Sequence, residues 1–435
     1  MESCLAFLAR YFFTPSMPAM IFAAGLLFLF LLRGKPLTKP IFMIKTLVSG
    51  GKSSLKSLCL ALAGTLGVGN IVGVASAIAI GGAGALFWMI VSSVFAMVLK
   101  YAEIVLAILH RKDIKGAYRG GPMYYIKSRR TARAFAVICA IVSVPLGSLI
   151  QVKAASDSIS FAFGLSPTAV GLLFCIISAF VIFGGAKRIT EFTFKLIPPL
   201  TILYLAMSLI VIFVNIKVLP EVFKEIFASA FESKSAFGGV AGILLSDSLR
   251  IGVSRGIMSN EAGCGSAPIA HAHAEVKSAA EQGVWGVFEV FCDTVLLCPL
   301  TALAILCTKC VNKGDMTDVS SAYMSVIGPI APTLIAISIT LFAFATVICW
   351  AHYGEEAVLY LSEKKLPTII YRLFYVICIP LGAILNTGLI WDISDILLSV
   401  MTVINCIAIA IHSNEIVEES KKYFKKNQAR TRELS

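Results

Sequence analysis

Apolar runs of about 20 residues follow one another along almost the whole chain, near 15–33, 55–80, 83–109, 134–160, 167–184, 193–215, 253–275, 283–307, 330–361, 367–386 and 389–412. With 58% hydrophobic and 14% charged residues and a mean hydropathy of +0.87, no soluble core could bury this much apolar surface. Inside a bilayer every backbone N–H and C=O must be satisfied within the chain, which leaves helices for runs of this length. The runs therefore predict an all-α polytopic membrane protein with about eleven transmembrane helices. The tract at 236–249 is apolar but short and glycine-rich and reads as re-entrant or interfacial. No polar insert is long enough for a soluble domain.

The net charge is +12, which in a soluble chain would raise nucleic acid as a partner. Its distribution points elsewhere. Lys and Arg gather in 33–56, in 111–133, around Lys187, Arg188 and Lys195, around Lys364, Lys365 and Arg372, and in the tail from Lys421 to Arg432. The loops at 81–84, 161–168 and 386–390 are nearly free of them. Numbered along the runs, every basic loop falls on one face, and the positive-inside rule makes that face cytoplasmic. The expectation is a multi-pass protein of the plasma (inner) membrane, N-terminus outside and C-terminus cytoplasmic, with the lipid bilayer and no nucleic acid as partner. The first run is longer than a signal-peptide core and lacks a clear cleavage site, so it is kept as a helix.

The second run, Leu55 to Ile80, is broken at its centre by Gly64-Thr-Leu-Gly-Val-Gly-Asn70. Each glycine weakens a helix by about 1 kcal/mol, and a buried Asn side chain is unfavourable unless hydrogen-bonded. The segment reads either as close helix packing through small residues or as a discontinuous helix whose freed backbone groups bind something polar near the midplane. Ser254-Arg-Gly-Ile-Met-Ser-Asn-Glu-Ala-Gly-Cys-Gly-Ser-Ala-Pro268 is a second such segment. An Arg255–Glu261 pair would account for its charges. It would not account for Gly263, Gly265 and Pro268, which argue for a second broken helix. The two segments lie in runs two and seven, five apart. One extra N-terminal helix (1–33), two five-helix repeats of inverted topology (34–215 and 216–412) and a basic tail (413–435) would put them at matching positions.

Further polar residues stand at membrane depth: Gln151, Asp293 with Thr294, and Thr346 with Trp350. Thr346 and Trp350 are i, i+4 and share a helix face, and Asp293 needs a partner such as a cation. Other motifs carry less. Ser49-Gly-Gly-Lys-Ser-Ser54 lacks the first glycine of a phosphate loop and follows no strand. His271-Ala-His273 does not place two ligands on one helical face and reads as a cytoplasmic helix end. The twelve cysteines are scattered, and Cys307-Thr-Lys-Cys310 is a lone CxxC at a run's end. No Ser/His/Asp set or metal constellation supports an enzyme, and no repeated pore motif supports a passive channel.

Gly64-Thr-Leu-Gly-Val-Gly-Asn-Ile-Val-Gly-Val-Ala75, Lys100-Tyr-Ala-Glu103, Gly120-Gly-Pro-Met-Tyr-Tyr-Ile126, Arg255 to Ala270, Gln282-Gly283, Asp293-Thr294 and Trp350-Ala-His-Tyr-Gly-Glu355 resemble, in order, the alanine or glycine:cation symporter family. The Gly67-Val-Gly-Asn70 core is also similar to the unwound first helix of the neurotransmitter:sodium symporters. The resemblance implies a leucine-transporter-like fold and sodium-coupled import of a small neutral amino acid, alanine with glycine or serine, by alternating access. Na⁺ would be the coupling ion and there would be no cofactor. A proton-coupled carrier or exchanger is the alternative, since Asp293 or Lys153 could titrate.

Carried over by position, the backbone at Val68, Gly69 and Asn70 would hold the carboxylate. Gln151 and the break from Met258 to Ala262 would line the pocket, and Thr346 and Trp350 would close it. One sodium would use Asn70 with Thr65, Ser259 and Asp293. A second would use carbonyls near Ala63 and Leu66 with the Thr346 hydroxyl. The chain departs from the family at Met258 (usually Phe), Lys153 (commonly Asn), Ala351 and His352 (usually Ser and Tyr), and Ile404 in place of the Pro of a Pro-Asn pair. These changes bear on substrate choice more than on fold.

Overall fold

A computed structural model describes residues 14–38, 46–47, 51–114, 116–232, 246–385 and 387–432. The expected second run divides into α2 (Lys52–Thr65) and α3 (Val72–Gly81), following α1 (Thr14–Leu31). The chain continues through α4 (Gly84–Leu109), a hairpin of β1 (Lys112–Ile114) and β2 (Ala117–Arg119), α5 (Arg129–Phe163), α6 (Pro167–Ile182), α7 (Gly185–Val214) and α8 (Leu219–Phe231). The expected seventh run divides into α9 (Asp247–Asn260) and α10 (Ala267–His271). There follow α11 (Ala279–Thr308), α12 (Met316–Ile327), α13 (Ala331–Leu361), α14 (Lys365–Ile384), α15 (Thr387–Ile411) and α16 (Ser413–Arg432). Among the described residues seven helices have the length and composition to cross a membrane, and Ser16–Leu31, Val72–Gly81 and Pro167–Ile182 are shorter apolar helices.

Both breaks have local causes. After α2, Leu66 leaves the helix at ψ 72°, Gly67 is extended, and Val68–Asn70 form a 3₁₀ turn before α3 resumes. After α9, Glu261 adopts the left-handed conformation at φ 51°, followed by Gly263 at φ 77° and Gly265 at φ 83°. That conformation disfavours any side chain and suits glycine. Pro268 then opens α10, where its missing N–H is no loss.

Small residues draw the first half against the second. Gly252 and Gly256, four apart on α9, lie against the α4 backbone at Ala85 and Met89, the close approach that small-xxx-small spacing permits. Gly283 and Gly286 of α11 lie against Tyr101, Val105 and Ile104 of α4. Helix α13 runs through the centre, with Phe342 to Ala357 all buried. Large apolar side chains such as Phe180, Ile202, Phe213 and Ile377 are instead 62–70% exposed on the outside of the bundle, as a bilayer solvent requires.

The helix centres also bury charge. Lys100 on α4 stands 3.7 Å from Glu103 and 3.4 Å from Glu289 of α11. Glu289 also bonds His271 at 2.9 Å, and Asn405 of α15 donates to Glu103 at 3.0 Å. These bonds tie α4, α10, α11 and α15 together.

Several expectations are corrected. The Arg255–Glu261 pair does not form: Arg255 lies 5.5 Å over the Trp391 ring, and Glu261 accepts from Ser266 at 2.6 Å. Lys153, the charge standing where Asn is common, bonds Asp157 one turn on at 2.6 Å, and both are part-exposed. Run seven begins at Asp247 rather than 253, and most of the tract at 236–249 lies outside the described residues. Two amphipathic helices, α8 and α12, lie between the apolar runs.

Candidate substrate and cation site

The two breaks face each other. Gly69 has no Cβ, and one built there would lie 3.8 Å from the Ser259 backbone. That proximity lets the side chains of α3's turn and α9's last turn meet. Asn70 Nδ2 donates to Ser259 Oγ at 2.9 Å, to Asp293 Oδ1 at 2.7 Å and to the Asp293 carbonyl at 3.2 Å. Ser259 Oγ in turn donates to Asp293 Oδ2 at 2.8 Å, and Thr294 Oγ1 donates to the same oxygen at 2.6 Å. Asn70, Ser259, Asp293 and Thr294 are all buried, Asp293 completely. Each Asp293 oxygen accepts at least one side-chain donor, which offsets the desolvation of a carboxylate at this depth. Asn70 Oδ1 is the exception: buried, it has no hydrogen-bond partner among the described residues.

Asp293 is placed by a π-helical stretch, Phe291–Leu297, within α11. A second, Pro145–Leu149, interrupts α5 one turn before Gln151. Such widened turns recur at functional sites. Here they bring Gln151 onto the first break: its Oε1 accepts from the Val68 N–H at 3.2 Å. A Cβ on Gly67 would lie 2.9 Å from Gln151 Oε1 and 2.8 Å from Thr346 Oγ1, so Gly67 is the point where α5 and α13 close on the turn. Trp350, one turn beyond Thr346, is buried against Gly147 in the π-helical stretch, where any side chain would collide with its Cβ.

Of the residues singled out from sequence, the structure thus gathers Asn70, Ser259 and Asp293 into one hydrogen-bonded cluster and sets Val68, Gly69, Gln151 and Thr346 around the adjoining turn. The others stand at various removes. Thr65 is buried, but its hydroxyl donates back to the Ala61 carbonyl at 3.4 Å. Ala63 and Leu66 are buried beside Gly67, and Thr346 Oγ1 donates to the Phe342 carbonyl at 3.1 Å. Met258 is part-buried with its sulfur 3.7 Å from Arg255, and Ala262 is buried behind the second break, its N–H taken by Asn260 Oδ1 at 3.0 Å.

Three further features contribute to the site. Asn260 shapes the second break by donating to the Gly256 carbonyl at 2.7 Å and to Thr294 at 3.1 Å. Cys298 Sγ lies 3.5 Å from Asn70 Nδ2 and 3.4 Å from Ser259. A narrow crevice beside the first break is lined by Leu66, Gly67, Asn70, Ile71, Tyr204, Leu297 and Phe342. Asn260 was within view in its motif, whereas Tyr204 and Phe342 look like any aromatic in an apolar run.

Residues 1–434 match the family described as the sodium:alanine symporter family. A sodium/alanine symporter of Methanococcus maripaludis is 34% identical over 88% of this chain and 86% of its own length. An amino-acid carrier protein of Bacillus subtilis is 35% identical over 87% and 82%. Among solved structures, MhsT in complex with L-phenylalanine superposes at a TM-score of 0.63 with 14% identity, covering 86% of this chain and 92% of that one. The fold is the leucine-transporter-like one.

Proposed function

We propose a sodium-coupled importer of small neutral amino acids, on the premise that the chain belongs to the sodium:alanine symporter family. It is therefore a transporter, not an enzyme, and a multi-pass membrane protein. Alanine is the substrate favoured here, with glycine and serine within reach of the same pocket. The two halves, 34–215 and 216–412, act as inverted repeats that rock around the two breaks, with the C-terminus in the cytoplasm.

One observation carries this reading: the Asn70–Ser259–Asp293 cluster, where the breaks of both halves meet on a single carboxylate. Asn70 Nδ2 sits in a cradle of acceptors, namely Ser259 Oγ, Asp293 Oδ1 and the Asp293 carbonyl, all within 3.2 Å. These are the hard oxygen donors that a sodium ion takes in a broken-helix site. Turning the Asn70 amide over would bring its unpartnered Oδ1 into the same cradle, making it a further ligand. Na⁺ is thus a transported substrate held by this chain's own oxygens, with Asp293 supplying the countercharge. A second sodium is held at the end of α2 by carbonyls near Ala63 and Leu66 and by Thr346.

The amino acid's carboxylate goes to the N-terminal side of α3, where backbone N–H groups and the helix dipole favour an anion. Val68 N–H is now held by Gln151 Oε1, so Gln151 yields that donor as the carboxylate arrives. Ala262 and Met258 border the pocket from α9, and Trp350, fixed against Gly147, limits the side chain that fits beside Thr346.

Uptake of labelled alanine into proteoliposomes, with and without an inward sodium gradient, tests the reading. Accumulation above equilibrium that requires sodium is expected. Accumulation that ignores sodium but follows a proton gradient would overturn the coupling, and uptake that never exceeds equilibrium would favour a channel or exchanger.

A further inference from the structure

Two histidines that the transport site leaves unused meet elsewhere. His273 follows α10 directly, and its Nε2 lies 3.1 Å from Nε2 of His352 on α13. Glu356 is one turn further along α13, so His352 and Glu356 share a face. One nitrogen from each histidine and one carboxylate oxygen all lie within 4.8 Å of one another. His352 is completely buried and Glu356 is 4% exposed. Glu356 Oε2 has no hydrogen-bond partner among the described residues.

Only one N–H can lie on the line between the two Nε2 atoms, so at least one ring presents a lone pair to the other. Two imidazole nitrogens on one tetrahedral ion, each about 2.0–2.1 Å from it, lie about 3.3 Å apart, close to the separation observed. Two histidines and a carboxylate are also a donor set that suits zinc and neighbouring divalent transition metals.

We propose that His273, His352 and Glu356 form a divalent transition-metal site that fastens the segment after α10 to α13. Three arginines lie around it. Arg119 Nε on β2 is 3.8 Å from Glu356 Oε2 and is part-exposed, so it competes with the ion for the carboxylate and has room to withdraw. Arg111 donates to the carbonyls of Ala272 and Ala274 and so holds the backbone on either side of His273. Arg372 is engaged by Glu355 at 2.6 Å, leaving Glu356 as the carboxylate available for the ion. The metal links the end of the second broken helix to a helix that runs through the bundle's centre. It therefore opposes any movement of α10 relative to α13. That consequence rests on the transport reading above, whereas binding of the ion does not.

Calorimetric titration of the full chain, purified in detergent without a histidine tag, with Zn²⁺ tests the site. Zinc binding is expected that H273N, which changes a part-exposed side chain, and E356Q each weaken at least ~10-fold, a conservative bound given that even groups behind a metal's ligands contribute ~10-fold or more. R119Q should tighten it. His110, His412 and Glu415 form a separate cluster, so H110N serves as the control and should leave the affinity unchanged. Zinc binding no tighter in the native chain than in H273N, or lost only in H110N, would overturn the proposal. In proteoliposomes, Zn²⁺ should slow sodium-driven uptake by the native chain and spare H273N. Equal inhibition of both would overturn the fastening role, while a chain that shows no sodium-driven uptake in zinc-free buffer would count against the transport reading alone.

Discussion

Asp293→Asn is the sharpest probe of the proposed cation site because the structure lets shape and charge be separated. Asp293 accepts from Asn70 on one oxygen and from Ser259 and Thr294 on the other, at 2.6–2.8 Å. An asparagine there places an amide N–H₂ against one side. If it faces Asn70, the Asn70 amide can turn over and offer its unpartnered Oδ1. If it faces Ser259 and Thr294, their hydroxyls can rotate to accept. The variant should therefore fold with little loss. What it removes is one unit of negative charge beside the ion. Two unit charges 4 Å apart interact by about 4 kcal/mol at an effective dielectric near 20. Allowing for the other oxygens that remain, a loss of about 2.7 kcal/mol is expected, or ~100-fold. The assay is the sodium concentration giving half-maximal alanine uptake in proteoliposomes, together with the sodium-induced rise in melting temperature of the detergent-purified chain. Half-saturating sodium should rise ~100-fold or uptake should vanish, while the melting temperature without sodium stays near the native one. A change below about threefold with uptake intact would remove Asp293 as the countercharge.

Lys100→Met takes away the cation that Glu289 and Glu103 face at 3.4 and 3.7 Å, and breaking a buried pair from one side costs about 3–5 kcal/mol. A strongly lowered melting temperature is expected, partly restored in K100M/E289Q; an unchanged one would show that the carboxylates do not depend on Lys100. Acid should slightly loosen the tail helix α16 against the bundle. Burial pushes the Glu415 carboxyl up, but hydrogen bonds from His412 and His110 outweigh this and hold it below the ordinary range. A depressed folded value means the contribution is present above the unfolded value of about 4.3 and is lost as pH falls through the folded value. Because Glu415 is about half exposed (47%), the effect is small and screened. Protection factors of the α16 amides, corrected for the slower intrinsic exchange in acid, should fall on acidification in the native chain and already be lowered in E415Q at neutral pH; identical protection in both would refute this contribution.

The two breaks were legible because their signal is chemical: glycines, an asparagine and a proline replace leucine where a continuous helix has no use for them. The bends that deliver Gln151 and Asp293 were not, because Pro145, Gly147 and Ser148 in one π-helical stretch and Asp293 and Thr294 in the other mark weak or polar points of a helix without specifying a widened turn. Windows of about 20 residues also passed over α8 and α12, at 13 and 12 residues too short to register and patterned instead by the burial of one face, such as Val222, Ile226 and Ala230. The expected Arg255–Glu261 pair failed for a geometric reason. Six residues on a helix turn about 240°, not a shared face, and the left-handed Glu261 ends the helix besides. Lys153 was readable: Asp157 stands four residues on, the spacing of neighbours on a helix surface.

The cluster also suggests why binding and movement would be linked in such a site. Asp293 is bonded by Asn70 from the first break, by Ser259 from the second and by Thr294 from its own helix. The first break is therefore joined to the carboxylate through the Asn70 amide hydrogens, directly and through Ser259. An ion entering that cradle must displace those hydrogens, because both need the same oxygens. The link between α3 and α11 then passes through the ion instead of through the amide. A ligand shifts an equilibrium only by its differential affinity for the two arrangements. An ion that replaces a bond between the two halves has such a difference built in, since any arrangement that separates Asn70 from Asp293 surrenders ligands from one side. By linkage, an amino acid that draws Gln151 off the Val68 N–H and settles against the same turn must alter sodium affinity by the factor by which sodium alters its own.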